Sequence, residues 1–136
     1  MDKEIFKIRK DIERAREIFE IAKDRYSLMN IYPKSKTYKI IEEYYETIKE
    51  IFISSMYFEG EKTLSHIKLI EWFNKNYKNL SRRETELIDS LRRFRNGSLY
   101  YGKTISKNFL ENTEKEIIQL IEKLIKFTNQ KLKWNT

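Results

Sequence analysis

The segment Ser81-Arg82-Arg83-Glu84-Thr85-Glu86-Leu87-Ile88-Asp89-Ser90-Leu91-Arg92-Arg93-Phe94-Arg95-Asn96-Gly97 carries the start, face and stop signals of one α-helix. Ser81 with Glu84 three residues on has the form of a capping box, in which the hydroxyl accepts from one backbone amide and the carboxylate reaches back to another. Leu87, Ile88, Leu91 and Phe94 fall on one face at helical spacing, and Asn96-Gly97 is a helix-stop or turn pair. Arg92, Arg93 and Arg95 flank Phe94 and point to at least two sides of the helix, so one of them is expected to face inward or into a groove.

The same period runs through the rest of the chain. Ile5, Ile8, Ile12, Ala15, Phe19, Ala22, Tyr26 and Met29 alternate three- and four-residue steps, which predicts a first helix from about Asp2 to Met29, widened by Ile18 and Ile21. Asn30 to Ser35 holds the one proline, Pro33, and reads as a loop between antiparallel helices. A second helix follows from Ser35 or Lys36 to between Phe58 and Gly60, with Tyr38, Ile41, Tyr45, Ile48, Phe52 and Met56 on its stripe. Gly60-Glu61-Lys62 reads as a turn, and Thr63 or Ser65 can cap a shorter third helix carrying Leu64, Ile67, Ile70 and Phe73. Beyond the arginines, Thr104 or Ser106 can cap a last helix running through Phe109, Leu110, Ile117, Leu120, Ile121, Leu124, Ile125 and Phe127, before a basic tail over about residues 129–136. No stretch has period two, and no Gly-rich phosphate loop or repeat occurs. The expectation is one all-α domain over residues 1–136, an up-and-down, mostly antiparallel bundle of about five helices.

Composition narrows the function classes. The chain has no cysteine, which excludes a disulfide framework, a thiolate nucleophile and a cysteine-held zinc. Its start, Met1-Asp2-Lys3-Glu4, lacks the apolar core of a signal peptide, and no apolar run has membrane-spanning length, so a cytoplasmic protein without a membrane partner is expected. A formal charge of +7 favours polyanions, although a mixed Lys/Glu surface is equally a mark of heat adaptation. Glu42, Glu46 and Glu50 share one face of the second helix, with Glu43 beside them. The Glu-x-x-His motifs of carboxylate-bridged metal pairs are absent, so this reads as a solvated acidic face flanked by Lys39 and Lys49, and neither metal nor cofactor is expected. The one histidine, His66, falls in the first turn of the third helix. It is either a structural residue or, if that helix start packs near Arg95, an acid or base.

Arg95-Asn96-Gly97-Ser98-Leu99-Tyr100-Tyr101-Gly102, with the order of helices around it, resembles the signature of HEPN domains. In these all-helical proteins an Arg-Asn pair is followed a few residues later by His and often by Tyr. Here Tyr100 occupies the His position and Gly102 that of the following Tyr. The resemblance implies an HEPN-like bundle acting as a homodimer, since HEPN ribonucleases form a composite, metal-independent site from two protomers. It would make Arg95, Asn96 and Tyr100 catalytic and set Arg92, Arg93, Arg95 and Tyr101 against RNA or nucleotide. Arginine suits this chemistry because guanidinium binds phosphate bidentately and stays charged, whereas tyrosine, with a reference pKa of about 10, is a poor base near neutrality unless the arginines depress it. With the motif His replaced, the resemblance implies either a degenerate ribonuclease of a toxin–antitoxin type system or a non-catalytic partner of a minimal nucleotidyltransferase, in which Tyr100 or Tyr101 could accept nucleotides. From the residues alone, Arg95 and Asn96 could instead tie the fourth and last helices together as a polar clamp.

Overall fold

The computed structural model describes residues 4–97 and 103–133. They form an all-α bundle of five helices, α1 (Ile12–Ser27), α2 (Thr37–Glu59), α3 (His66–Tyr77), α4 (Arg82–Arg95) and α5 (Lys103–Lys133), with two short strands, β1 (Ile5–Lys7) and β2 (Glu61–Thr63). The 23-residue α2, about 35 Å long, is the axis. Its buried residues, among them Ile40, Ile41, Tyr44, Tyr45, Ile48, Ile51 and Phe52, occupy most of its circumference, and a helix apolar nearly all round belongs in the middle. Each of the other four helices packs on it. The capping box at the start of α4 is formed, with Ser81 Oγ accepting from the Glu84 amide at 3.1 Å and Glu84 Oε1 from the Ser81 amide at 2.8 Å. Leu87, Ile88 and Leu91 are buried, and Phe94 packs on Phe109 with ring centroids 4.6 Å apart.

The first helix is shorter than its apolar seam predicts. Residues Ile5–Lys7 pair antiparallel with Glu61–Thr63, so the expected turn at Gly60-Glu61-Lys62 opens a strand instead. Ile5 and Ile8 stand three apart and suit a helical seam, but the backbone between them and α1 finds its partners on the end of α2. The Ile8 amide donates to the Gly60 carbonyl and the Asp11 amide to the Tyr57 carbonyl, both at 3.0 Å. Asp11 then caps α1 by accepting from the Arg14 amide at 3.0 Å. Gly60 is required at this crossing. Its φ is +78°, and a Cβ there would stand 3.0 Å from the Ile8 carbonyl oxygen and 2.9 Å from Lys10 Cγ.

Strand β2 returns the chain along α2. Seven extended Cα steps, from Glu59 to His66, cover about 23 Å, enough to pass back over about fourteen helical residues, about 21 Å. As a result α3 runs in the same direction as α2, with His66 beside Tyr45, Phe73 stacked on Phe52 at 4.3 Å, and the Tyr77 hydroxyl donating to Glu59 at 2.7 Å. Ser65 rather than Thr63 is the cap, accepting from the Lys68 amide. Leu69, Ile70, Trp72 and Phe73 fill the interface, which leaves the expected core residues Leu64 and Ile67 exposed. The stretch 129–133, expected as part of a basic tail, continues α5: Leu132 is buried, its carbonyl accepts from Arg16 at 3.1 Å, and Lys131 lies 3.8 Å from the Tyr77 ring centroid.

Candidate functional site

Because α3 starts level with the middle of α2, the single histidine lies among charges from two other helices. His66 Nδ1 is 3.0 Å from the Tyr45 hydroxyl. Lys49 and Glu46 of α2 and Arg92 and Arg95 of α4 are close enough to bear on its ionisation. Glu46 links these cations, its Oε2 lying 2.7 Å from Lys49 Nζ and its Oε1 2.9 Å from Arg95 Nη2. The second contact is an ion pair without hydrogen-bond alignment, so Glu46 Oε1 is buried with its hydrogen-bonding capacity unused. Arg92 folds back on Asp89, with Nε and Nη2 donating to Oδ1 at 3.1 and 2.9 Å.

These surroundings fix the ionisation of the pair at the centre. Burial lowers the pKa of His66 from its ordinary 6.5, and Lys49 and then Arg95 push in the same direction against Glu46. The imidazole is therefore neutral at neutral pH. Burial raises the Tyr45 hydroxyl to about 12 over the opposing effect of Arg92, so it keeps its proton and holds the ring. A hydroxyl can donate or accept. If it donates to Nδ1, the other ring nitrogen carries a proton to give; if it accepts, Nε2 is a free base. Among the described residues Nε2 has no hydrogen-bond partner.

Of the residues singled out in the sequence, Arg92 and Arg95 join His66, and Arg93 does not. Arg93 is exposed and has no ion-pair partner among the described residues. The polar clamp expected between the fourth and last helices runs elsewhere: Arg95 joins α4 to α2, because Glu46 lies within its reach. Asn96 is the C-cap of α4, its amide donating to the Arg92 carbonyl at 2.9 Å. Tyr100, Tyr101 and Gly102 lie outside the described residues. The face expected to be solvated and acidic is instead largely covered. Glu43 is 5% exposed, and Arg25 of α1 donates to Glu43 at 2.7 Å and to Glu50 at 2.8 Å. The signal for this was in the sequence: with apolar residues on nearly every side of α2, no face was left for solvent, so its carboxylates needed cations from elsewhere. Tyr45, Glu46 and Lys49 were missed as site members for the same reason.

Among the described residues, no three His, Asp or Glu side chains converge as a metal site would require, and no helix is long and apolar enough to cross a membrane. The chain matches no family model, no curated protein and no solved structure.

Proposed function

We propose that the His66–Arg95 cluster binds the phosphates of RNA or nucleotide in an HEPN-like homodimer, and that it holds the groups for metal-independent ribonuclease chemistry of the toxin–antitoxin type. One observation carries the reading: the chain's only imidazole is oriented by Tyr45 among Lys49, Arg92 and Arg95. Arg95, with a side chain 36% exposed, can turn a guanidinium edge to a non-bridging phosphate oxygen. His66 then replaces the motif histidine as base, taking the proton of a ribose 2′-hydroxyl while that oxygen attacks phosphorus and the bond to the 5′-oxygen breaks. Returning the proton to the leaving oxygen gives a 2′,3′-cyclic phosphate and a free 5′-hydroxyl. Leu64 and Ile67, 79% and 50% exposed and flanking His66, support a second copy covering this face.

A second reading, a non-catalytic partner of a minimal nucleotidyltransferase, is favoured by the ion pairs that Arg92 and Arg95 already make within the chain. Labelled single-stranded and tRNA-like RNA, incubated in chelator with wild type, Arg95→Ala and His66→Gln prepared identically, separates the two. Cleavage by wild type alone supports the ribonuclease. No cleavage by any of the three, with each of them dimeric, supports the partner. Cleavage that survives both substitutions contradicts the site.

A further inference from the structure

A different end of α2 carries a second binding feature, which uses no residue of the His66–Arg95 cluster. Helix α2 begins with Lys36 at its N-cap, without a side-chain hydrogen bond and without an acidic residue in its first turn. The Lys36 carbonyl accepts from the Lys39 and Ile40 amides, and the amides of Thr37 and Tyr38 have no protein acceptor among the described residues. The positive end of a 23-residue helix is thus left open. In front of it is a cavity of about 730 Å³ bordered by Lys34, Ser35, Lys36, Thr37, Ser106 and Lys107, with no carboxylate among its described lining residues. Lys34 and Lys36 have no acidic partner among the described residues.

An independent sign of a ligand comes from Thr37. The residue is 9% exposed and lines this cavity, yet its hydroxyl has no hydrogen-bond partner among the described residues. The oxygen is not sealed from solvent and can reach a ligand in front of the helix. An anion at the helix end would accept from this hydroxyl together with the two amides.

The adjoining space defines the rest of the ligand. A second cavity, of about 530 Å³, shares Lys34, Thr37 and Lys107 with the first and extends to Tyr32, Tyr44 and Glu111. Both cavities are of the size that holds a small molecule. This side adds carboxylates to the lining: Glu114 accepts from the Tyr44 hydroxyl at 2.6 Å, and Glu111 is held only loosely by Lys107 at 3.9 Å. A ligand anionic at one end and carrying hydrogen-bond donors at the other, as ribose hydroxyls and a base do, fits this lining. We propose that the N-terminus of α2 and the two cavities beside it form a binding site for a nucleoside phosphate, its phosphate on Lys34, Thr37 and Lys107 and its nucleoside against Tyr32 and Glu111.

The test is calorimetric titration of the full chain with the four ribonucleoside monophosphates, the corresponding nucleosides and inorganic phosphate. At least one monophosphate should bind saturably, at least tenfold tighter than its nucleoside, and inorganic phosphate should compete with it. Lys34→Glu and Thr37→Val should each weaken that binding roughly tenfold, the scale of one hydrogen bond to a charged group, whereas the same charge change at exposed Lys126, Lys126→Glu, should leave it unchanged. Lys34 is exposed, so Lys34→Glu keeps the test valid if Thr37→Val disturbs the helix start. The proposal is overturned if no monophosphate binds, if a nucleoside binds as tightly as its phosphate, if inorganic phosphate matches the monophosphates, or if Lys34→Glu retains full affinity.

Discussion

His66 owes its chemistry to neighbours on other helices, and its titration reports on them. Burial and the cations Lys49, Arg95 and Arg92 hold its pKa below 6.5. Its NMR titration midpoint should therefore fall below 6.5 in the wild type and move upward in Arg95→Ala and Lys49→Ala, each of which removes a cation; a downward movement would contradict the arrangement. The sign also sets a stability trend. As pH falls below 6.5 the unfolded chain takes up this proton before the folded one, so the stability present above that pH is progressively lost on acidification. Arg25 poses the related question for the covered carboxylates. Its side chain is 29% exposed and serves Glu43 and Glu50 together, so Arg25→Met should cost about 2–3 kcal/mol in denaturant unfolding, somewhat below the loss for a fully buried pair.

The helix α4 could be read from its sequence because its signals are local: the cap, the apolar face and the stop all lie within the segment that they govern. The start of α1 could not, because the amides of Ile8 and Asp11 are satisfied by carbonyls of the Tyr57–Gly60 turn, about fifty positions away. Strand β2 is three residues long and carries no alternation to detect. These two short strands nonetheless decide where α3 begins, and thereby where His66 stands. Gly60→Ala tests the crossing. A Cβ meets the Ile8 carbonyl oxygen, and φ is left-handed, so this substitution should lower stability by about 2–3 kcal/mol in thermal or denaturant unfolding. Ser81→Ala, which removes only a cap, should cost about 1 kcal/mol.

Across the whole molecule, the apolar period disclosed the bundle and the arginines of α4 disclosed part of the candidate site, while the pairing of charges between helices stayed hidden. Glu46 looked solvated beside Lys49 because its partner Arg95 comes from α4. Lys131 shows the same effect in α5, where a residue of an expected tail is packed against Phe58, Tyr77 and Phe127. Burial pushes its ammonium down to about 7, against the attraction of Glu59. Between pH 7 and 10.5 the unfolded chain then holds this proton while the folded one sheds it, so stability should climb with pH across that window. Lys131→Met should flatten the climb. An unchanged slope would mean that the ring faces keep the ammonium charged.

Phosphate recognition by the cluster of α2, α3 and α4 is the central claim, and fluorescence anisotropy of a labelled single-stranded RNA tests it most directly. Binding by wild type should weaken steeply between 50 and 200 mM salt as released counterions lose their drive, and Arg95→Ala should reduce both the affinity, about tenfold, and the salt slope. An affinity indifferent to salt, or one that Arg95→Ala leaves intact in both respects, would contradict the account.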